Sequence, residues 1–378
     1  MNITYVSSFD ATDITSYSGT GYYIPHKLKE YGNQLYYIDQ LGETESVFQR
    51  MKRKLYSISG KKYLIDRNPV VLNKWARKIQ KSMPSKTDII LGYSSQPFAR
   101  LDSVKPMVFW SDAVFANMVD YYEVYSNLCQ ESLFHGNQME QLALENVNLA
   151  VFSSDWAANA AKKYYNVPDS KIKVIPYGAN IDVDHDLEDI HKMASNKKLS
   201  PCKLLFLATE WDRKGGDIAV EVARVLIKSG IKTELHIIGV EVVKEVEDEY
   251  FVKAHGYLNK SVKMERILLN KVISESHFLV LPTRADCTPI VFNEFNAHGI
   301  PVISTNEGGI PSIIKNGRNG FLFEKDMNAE KIALKIIDLL SDRKSYIDLA
   351  KSSFNEYQTR LNWKVSINEF QKLLNSLR

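Results

Sequence analysis

Two short stretches in the second half of this chain have the residue types and spacing to hold a charged, hydroxyl-rich ligand. The first is Arg213-Lys214, followed at once by Gly215-Gly216. It lies between an apolar run, Lys203–Thr209, short enough for a buried parallel strand, and a stretch with Ile218, Val222, Val225 and Leu226 at helical spacing. Ser229-Gly230 stops that helix, and the apolar run Thr233–Ile238 completes a β-α-β unit. Two cations and two glycines thus stand at the mouth of a helix, beyond the carboxyl end of a strand. Open α/β sheets bind anions there, because free N–H groups, the helix dipole and fixed charge converge. Taken alone, the stretch reads equally well as a solvated Arg-Lys turn.

The second stretch follows the apolar run ending Val280-Leu281-Pro282. Asp286 and Glu294 are eight apart, the former in a loop and the latter about two turns into a helix expected to begin near Thr288. Carboxylates so placed accept hydrogen bonds from hydroxyls at opposite ends of one elongated ligand. Pro289 suits the first turn of that helix, and the N–H groups of Ile290 and Val291 are left to meet an anion. A nucleotide diphosphate carrying a sugar has the matching features. Cys287 is the rival centre, as a nucleophile, but no His or Asn announces itself as its partner.

These stretches need a scaffold, and the chain is long enough to supply one. Its 378 residues suit two ordinary domains. No apolar run reaches the roughly 18 residues of a membrane-crossing helix. The opening MNITYVSSFD enters a strand without a basic or apolar leader, so no signal peptide is expected. Cys129, Cys202 and Cys287 lie far apart without metal-binding or redox spacing, which points to a reducing, cytoplasmic compartment. The first half alternates apolar runs with helical patterns. Strands are expected at Ile3–Ser7, Leu35–Ile38, Asp88–Leu91, Met107–Trp110, Ala150–Ser153 and Lys173–Ile175. Helices are expected at Tyr22–Tyr31, Asn68–Ser82, Leu133–Asn146 and Asp155–Tyr165. The second half repeats the alternation, with strands at Lys203–Ala208, Glu234–Ile238, Val252–Ala254, Phe278–Leu281 and Val302–Ser304, and a helical pattern from Asn328 to the end. Such alternation predicts two doubly wound, mostly parallel sheets.

Three tempting motifs fail. Ser18-Gly19-Thr20-Gly21 is not a dinucleotide fingerprint, because Ile24 stands at the third glycine position and the preceding loop is too long. Its glycines would still let backbone approach a phosphate or sugar. Asp182, Asp184 and Asp186 do not make a calcium loop, since Leu187 and Met193 fall where Gly and Glu are required. The net charge of +3 conceals a basic segment, Arg50 to Lys105, with 14 Lys/Arg against three acids. Within it Leu72, Trp75 and Ile79 share one helical face and Lys74, Arg77, Lys78 and Lys81 the other. That pattern reads as a core helix with a solvated face or as a surface for anionic lipid or an acidic polymer. Nucleic acid is disfavoured, since no binding motif accompanies the charge.

In order and spacing, these features resemble the retaining family 4 glycosyltransferases of the GT-B fold. The resemblance rests on the glycine loop after the first strand, the VIPYGANID junction, WDRKGG, and Asp286 and Glu294 followed by NAHGIPVISTNEGGIPSII, with a late Trp363 before the last helix. It implies two Rossmann-like domains facing a central cleft: an acceptor-binding domain at 1–179, a donor-binding domain at 180–359, and a final helix at 360–378 that crosses back. It implies that Arg213 and Lys214 hold a diphosphate, that Glu294 binds the ribose, and that Asp286 with the Ile290 and Val291 amides holds the transferred sugar. His255-Gly256-Tyr257 falls where the family contacts the base; Thr288, Gly19, Thr20, Gly21 and Tyr257 complete the expected donor-binding set. Asp112 stands where relatives often carry a histidine near the reacting carbon, and His135 is a second candidate. The chain departs from the family in having Asp286 for a usual Glu, Pro289 for a common Gly, and Ala208-Thr209 where many members carry an arginine.

The expected activity is therefore retaining, metal-independent hexosyl transfer, with a UDP- or GDP-sugar as co-substrate and no other cofactor. The acceptor would be a glycan or lipid-linked hydroxyl in surface polysaccharide or glycoconjugate synthesis. The protein would be cytoplasmic, with peripheral contact to the inner face of an anionic membrane. A nucleotide-sugar epimerase and a non-catalytic sugar-binding protein on the same fold are the alternatives.

Overall fold

The computed structural model describes residues 1–378 apart from 43–44, 182–184, 243, 260–261 and 327. Of the acidic stretch, Asp182 and Asp184 lie outside the described residues. The chain forms two compact units, Met1–Tyr177 with Ser366–Arg378, and Gly178–Val365.

The first unit carries a parallel sheet of β1 (Asn2–Val6), β2 (Gln34–Ile38), β3 (Ile89–Gly92), β4 (Met107–Ser111), β5 (Leu149–Phe152) and β6 (Ile172–Val174), in the order β2-β1-β3-β4-β5-β6. The central strands β3, β4 and β5 are buried throughout, as continuous apolar runs covered on both faces must be. Chain order reverses direction across the sheet between β1 and β3, which makes that gap the switch point. Among the described residues, three α-helices precede β3: α1 (Thr20–Glu30), α2 (Val47–Ile58) and α3 (Pro69–Ser82). The Asn68 side chain caps α3 and Pro69 opens it. α3 buries Val71, Leu72, Trp75, Ala76 and Ile79, and the Trp75 indole donates to the Gly42 carbonyl at 2.8 Å. It is a core helix with a cationic outer face. Residues from Ser366 belong to this unit: Phe370 packs on Trp110 with ring centroids 4.6 Å apart, and Ile367 and Leu374 are fully buried.

The second unit carries β7 (Cys202–Leu207), β8 (Thr233–Ile238), β9 (Val252–Ala254), β10 (Phe278–Leu281), β11 (Val302–Thr305) and β12 (Gly320–Phe323), all parallel, in the order β12-β11-β10-β7-β8-β9. Here the switch point lies between β7 and β10. At the amino ends of these two strands, His277 Nδ1 accepts from the Lys203 amide at 2.9 Å and Nε2 faces the Lys198 carbonyl at 2.9 Å. With one nitrogen accepting and the other beside an acceptor, the buried ring is neutral; burial first, then Lys197, pulls its pKa down to about 4. Trp363 stays with this unit, its indole donating to Asn180 at 2.9 Å and its backbone lying where a Gly178 side chain would fall.

Candidate functional site

The loops leaving β7 and β10 meet at the switch point of the second unit, where open α/β sheets place their ligands. After β7 the chain makes a short helical turn, Trp211–Lys214, and Gly215, at φ 76°, carries it into the helix Gly216–Lys228. A side chain at Gly215 would put its Cβ 2.2 Å from the Pro282 carbonyl oxygen, so the two loops close together only because glycine is there. Thr283 and Arg284 stitch them, donating to the Arg213 carbonyl from Oγ1 at 3.0 Å and from the amide at 2.7 Å. The Arg284 guanidinium clasps Asp217 in the first turn of the helix with two bonds, 2.9 and 2.6 Å, which hold that carboxyl below its usual range. Sequence reasoning missed Arg284. Its signal was a second cation two residues before Asp286.

This stitching brings the predicted cation pair, Arg213 and Lys214, against Asp286. Lys214 forms an ion pair with Asp286, and Arg213 Nη1 stands 3.9 Å from the same carboxylate oxygen. Arg213 also donates to the Ala285 carbonyl at 2.8 Å and is held by Glu210, with Nε to Oε2 at 3.0 Å. Charge-assisted bonds from Arg213 keep the Glu210 carboxyl below its usual range. The Asp286 carbonyl accepts from the Gly309 amide at 3.1 Å, which ties the loop to the segment after β11. Lys214 and Asp286 are largely buried, so both charges sit where pairing is strong and its loss costly.

The helix carrying Glu294 begins later than the spacing suggests. It runs Ile290–Ala297 with Pro289 outside it at ψ 102°. A residue before proline is pushed out of the helical region, so Thr288 cannot open the helix and Pro289 precedes its first turn. Glu294 is accordingly little more than one turn in. Ile290 and Val291 become the first two helical residues, whose N–H groups no earlier helical carbonyl can reach. Glu294, Thr288 and Cys287 are all buried.

Tyr257 is exposed beyond β9, separated from β7 by β8. Its neighbour Gly256 accepts from the Gly239 amide at 2.8 Å, and the His255 ring stacks on His236 with Nε2 to Nδ1 at 3.0 Å. Burial pulls both imidazoles below their usual range. The three free cysteines are buried, and among the described residues no three His, Cys, Asp or Glu side chains gather as a metal would require.

The remaining candidates lie in the first unit. Gly19 takes φ 88° at the start of α1, and Thr20 and Gly21 form its first turn. A Cβ on Gly21 would fall 2.5 Å from the Phe9 ring, so the room left by that glycine is used by an aromatic side chain of the same unit. Asp112 directly follows β4, and after burial its charge helps push the Tyr93 phenol upward. Tyr17 packs between Phe9 and Tyr93, with ring centroids 4.9 and 4.7 Å away. Tyr17 and Ser18 hold left-handed φ of 51° and 55°, a strained pair that no glycine pattern announces. His135 sits on the helix Gln130–Asn146, with its pKa pulled down by burial.

Two parallel six-stranded sheets with these connections, each with one switch point, define a two-domain α/β protein of the GT-B fold. Residues 188–356 match a family model described as "Glycosyl transferases group 1". The amylovoran biosynthesis glycosyltransferase AmsK of Erwinia amylovora is 25% identical over 188 residues, 47% of this chain and 45% of that protein. The chain matches less than half the length of the first curated relatives, between 20% and 45%. Over the full chain the fold is similar to sucrose-phosphate synthase from Thermosynechococcus elongatus, with TM-score 0.70, 16% identity and 99% of that chain covered. It is also similar to Anabaena HepE in complex with UDP, with TM-score 0.65, 13% identity and all of both chains covered. These likenesses show the fold over the full chain and a match to the group 1 glycosyl transferase model within the second unit.

Proposed function

We propose that this chain is a retaining, metal-independent glycosyltransferase that moves a hexose from a UDP- or GDP-sugar to a glycan or lipid-linked hydroxyl during polysaccharide synthesis. The observation that carries the reading is the cluster at the β7/β10 switch point. Arg213 and Lys214, the amides of Ile290 and Val291, and the carboxylates of Asp286 and Glu294 match a diphosphate with a hydroxyl-rich group at each end. The name of AmsK supports a polysaccharide product, and the UDP complex of HepE supports a uridine nucleotide.

In this reading the diphosphate lies against Arg213, Lys214 and the helix N-terminus, the ribose on Glu294 and the sugar on Asp286. Negative charge grows on the departing diphosphate as the anomeric bond breaks, and the two cations stabilise that charge more than they stabilise the bound donor. The acceptor oxygen attacks the same face that the diphosphate leaves. Its proton passes to a departing phosphate oxygen, so no protein base is assigned. The acceptor belongs to the first unit, near Asp112.

The test is a thermal melt of the protein with UDP, GDP and ADP, followed by their sugar conjugates, since a ligand bound by the folded state raises Tm. One nucleotide series should raise it, and its sugar conjugate should be consumed with transfer to an added glycan. No shift with any of them would end the proposal, and release of an isomerised donor without transfer would replace it with an epimerase.

A further inference from the structure

α2 is turned the wrong way round for a helix of a globular protein. Its inward side presents Gln49, Lys52 and Tyr56: Gln49 is buried and caps the helix with Ser46, Lys52 pairs with Glu131 at 2.7 Å, and Tyr56 donates to Glu131 and stacks on Tyr63. Val47, Phe48, Met51, Leu55 and Ile58 fall on the other side, within an arc of about 100° at 100° per residue. They are 74%, 65%, 58%, 64% and 77% exposed. Five large apolar side chains on one open helical face are what a soluble surface avoids unless something covers them.

The charge around that face says what covers it. From Ser46 to Lys62 there are six cations, Arg50, Lys52, Arg53, Lys54, Lys61 and Lys62, and no acid. Glu45 just before them pairs with Arg50 and Arg53, and Glu131 with Lys52, so the segment keeps a net positive charge carried by Lys54, Lys61 and Lys62. A second copy of the face would set these cations against their like, which disfavours self-association. An anionic lipid surface suits both halves of the pattern: acyl chains take the apolar stripe and headgroups take the cations. We propose that α2 lies in the plane of an anionic membrane, with Val47, Phe48, Met51, Leu55 and Ile58 inserted and Lys54 and Lys61 among the headgroups. The sequence put the amphipathic stretch at Trp75, but that indole is buried, so α3 contributes positive potential and α2 the insertion.

The experiment is co-sedimentation of the full chain with phosphatidylcholine vesicles, with and without about three parts in ten of phosphatidylglycerol. Wild type should bind the anionic vesicles at low salt, bind neutral ones far less, and be partly released by high salt. Changing Met51, Leu55 and Ile58 together to Gln should weaken binding at least about 30-fold, because three buried apolar side chains are lost. Lys54→Glu with Lys61→Glu should weaken it about tenfold or more at low salt. These residues are exposed, so melting temperatures should stay at the wild-type value. Wild type that ignores anionic vesicles, or a Gln variant that binds as wild type does, overturns the proposal. A dimer by light scattering that the Gln variant returns to monomer would show that the face closes on a second copy instead. The inference needs no nucleotide: a protein that binds vesicles through α2 yet shows no nucleotide-induced shift leaves it standing and removes only the transferase reading.

Discussion

Replacing Lys214 with Met tests the site most directly. The ammonium is the closest cation to Asp286, and the methionine side chain keeps most of the packing volume while deleting the charge. Two effects follow, and they separate. Removing one partner of a buried ion pair costs about 3–5 kcal/mol of stability when the other charge is stranded. Here Arg213 Nη1, 3.9 Å from the same oxygen, can turn toward Asp286, and both side chains keep some contact with solvent, so about 1–2 kcal/mol is expected. The loss of a preorganised group facing a departing diphosphate is larger, about 2–4 kcal/mol in the transition state, or roughly 30- to 1000-fold in kcat/KM. The assay is consumption of whichever sugar nucleotide raises Tm, measured at saturating and limiting donor, with urea unfolding alongside. Adding Asp286→Asn should recover much of the stability, since no carboxylate is then stranded, without restoring turnover. Transfer within twofold of wild type would remove Lys214 from the chemistry.

Three further outcomes are expected. Glu294→Gln should weaken binding of the free nucleoside diphosphate, whereas Asp286→Asn should weaken the sugar nucleotide more than the diphosphate; equal losses of both ligands in both variants, by calorimetric titration, would refute the division of roles. His277 is held neutral with its pKa lowered from 6.5 to about 4, so the unfolded chain binds its proton first as pH falls. Its contribution should be complete above about pH 6.5 and lost toward pH 4, by about 3 kcal/mol, and urea unfolding of His277→Gln should show a shallower acid slope. The Arg67–Glu140 pair, 2.8 Å apart and almost wholly buried, should make Glu140→Ala cost about 3 kcal/mol, the low end for a buried pair because Asp66 stays 3.5 Å from Arg67, and a loss below about 1 kcal/mol in the same assay would show that Asp66 takes over the guanidinium.

The parts of the fold that could be read from the sequence share one property: their patterns are uninterrupted. β3, β5, β7 and β10 are short apolar runs buried on both faces, and each falls within a residue or two of its expected place. β12 lacks that signal because it opens on Gly320, follows a polar turn and is only partly buried beyond its first residue. α2 was hidden for the opposite reason. Its apolar residues do have helical spacing, but cations fill the intervals, and a reading that counted charge passed over the helix. In the site, Arg213, Lys214, Asp286 and Glu294 stood out by type. That Lys214 and Asp286 pair with each other, and that Arg284 braces them through Asp217, depends on the approach of two loops 72 residues apart, which no local pattern encodes.

The first unit is completed by the last residues of the chain. Ile367, Phe370 and Leu374 fill its core, and Gln371 accepts from Asn33 at 2.8 Å, yet all are joined after the whole of Gly178–Val365. On the ribosome, at roughly 5–20 residues per second, Trp110 therefore waits ten seconds or more, on the order of the time needed to translate the second unit, before Phe370 can cover it. During that interval the nascent amino-terminal half presents an uncovered indole and its apolar surroundings to whatever else is in the cell. The second unit, contiguous in sequence, carries no such delay. The first unit is begun before the second and completed after it, so folding is free to finish first with the unit that is translated in one piece.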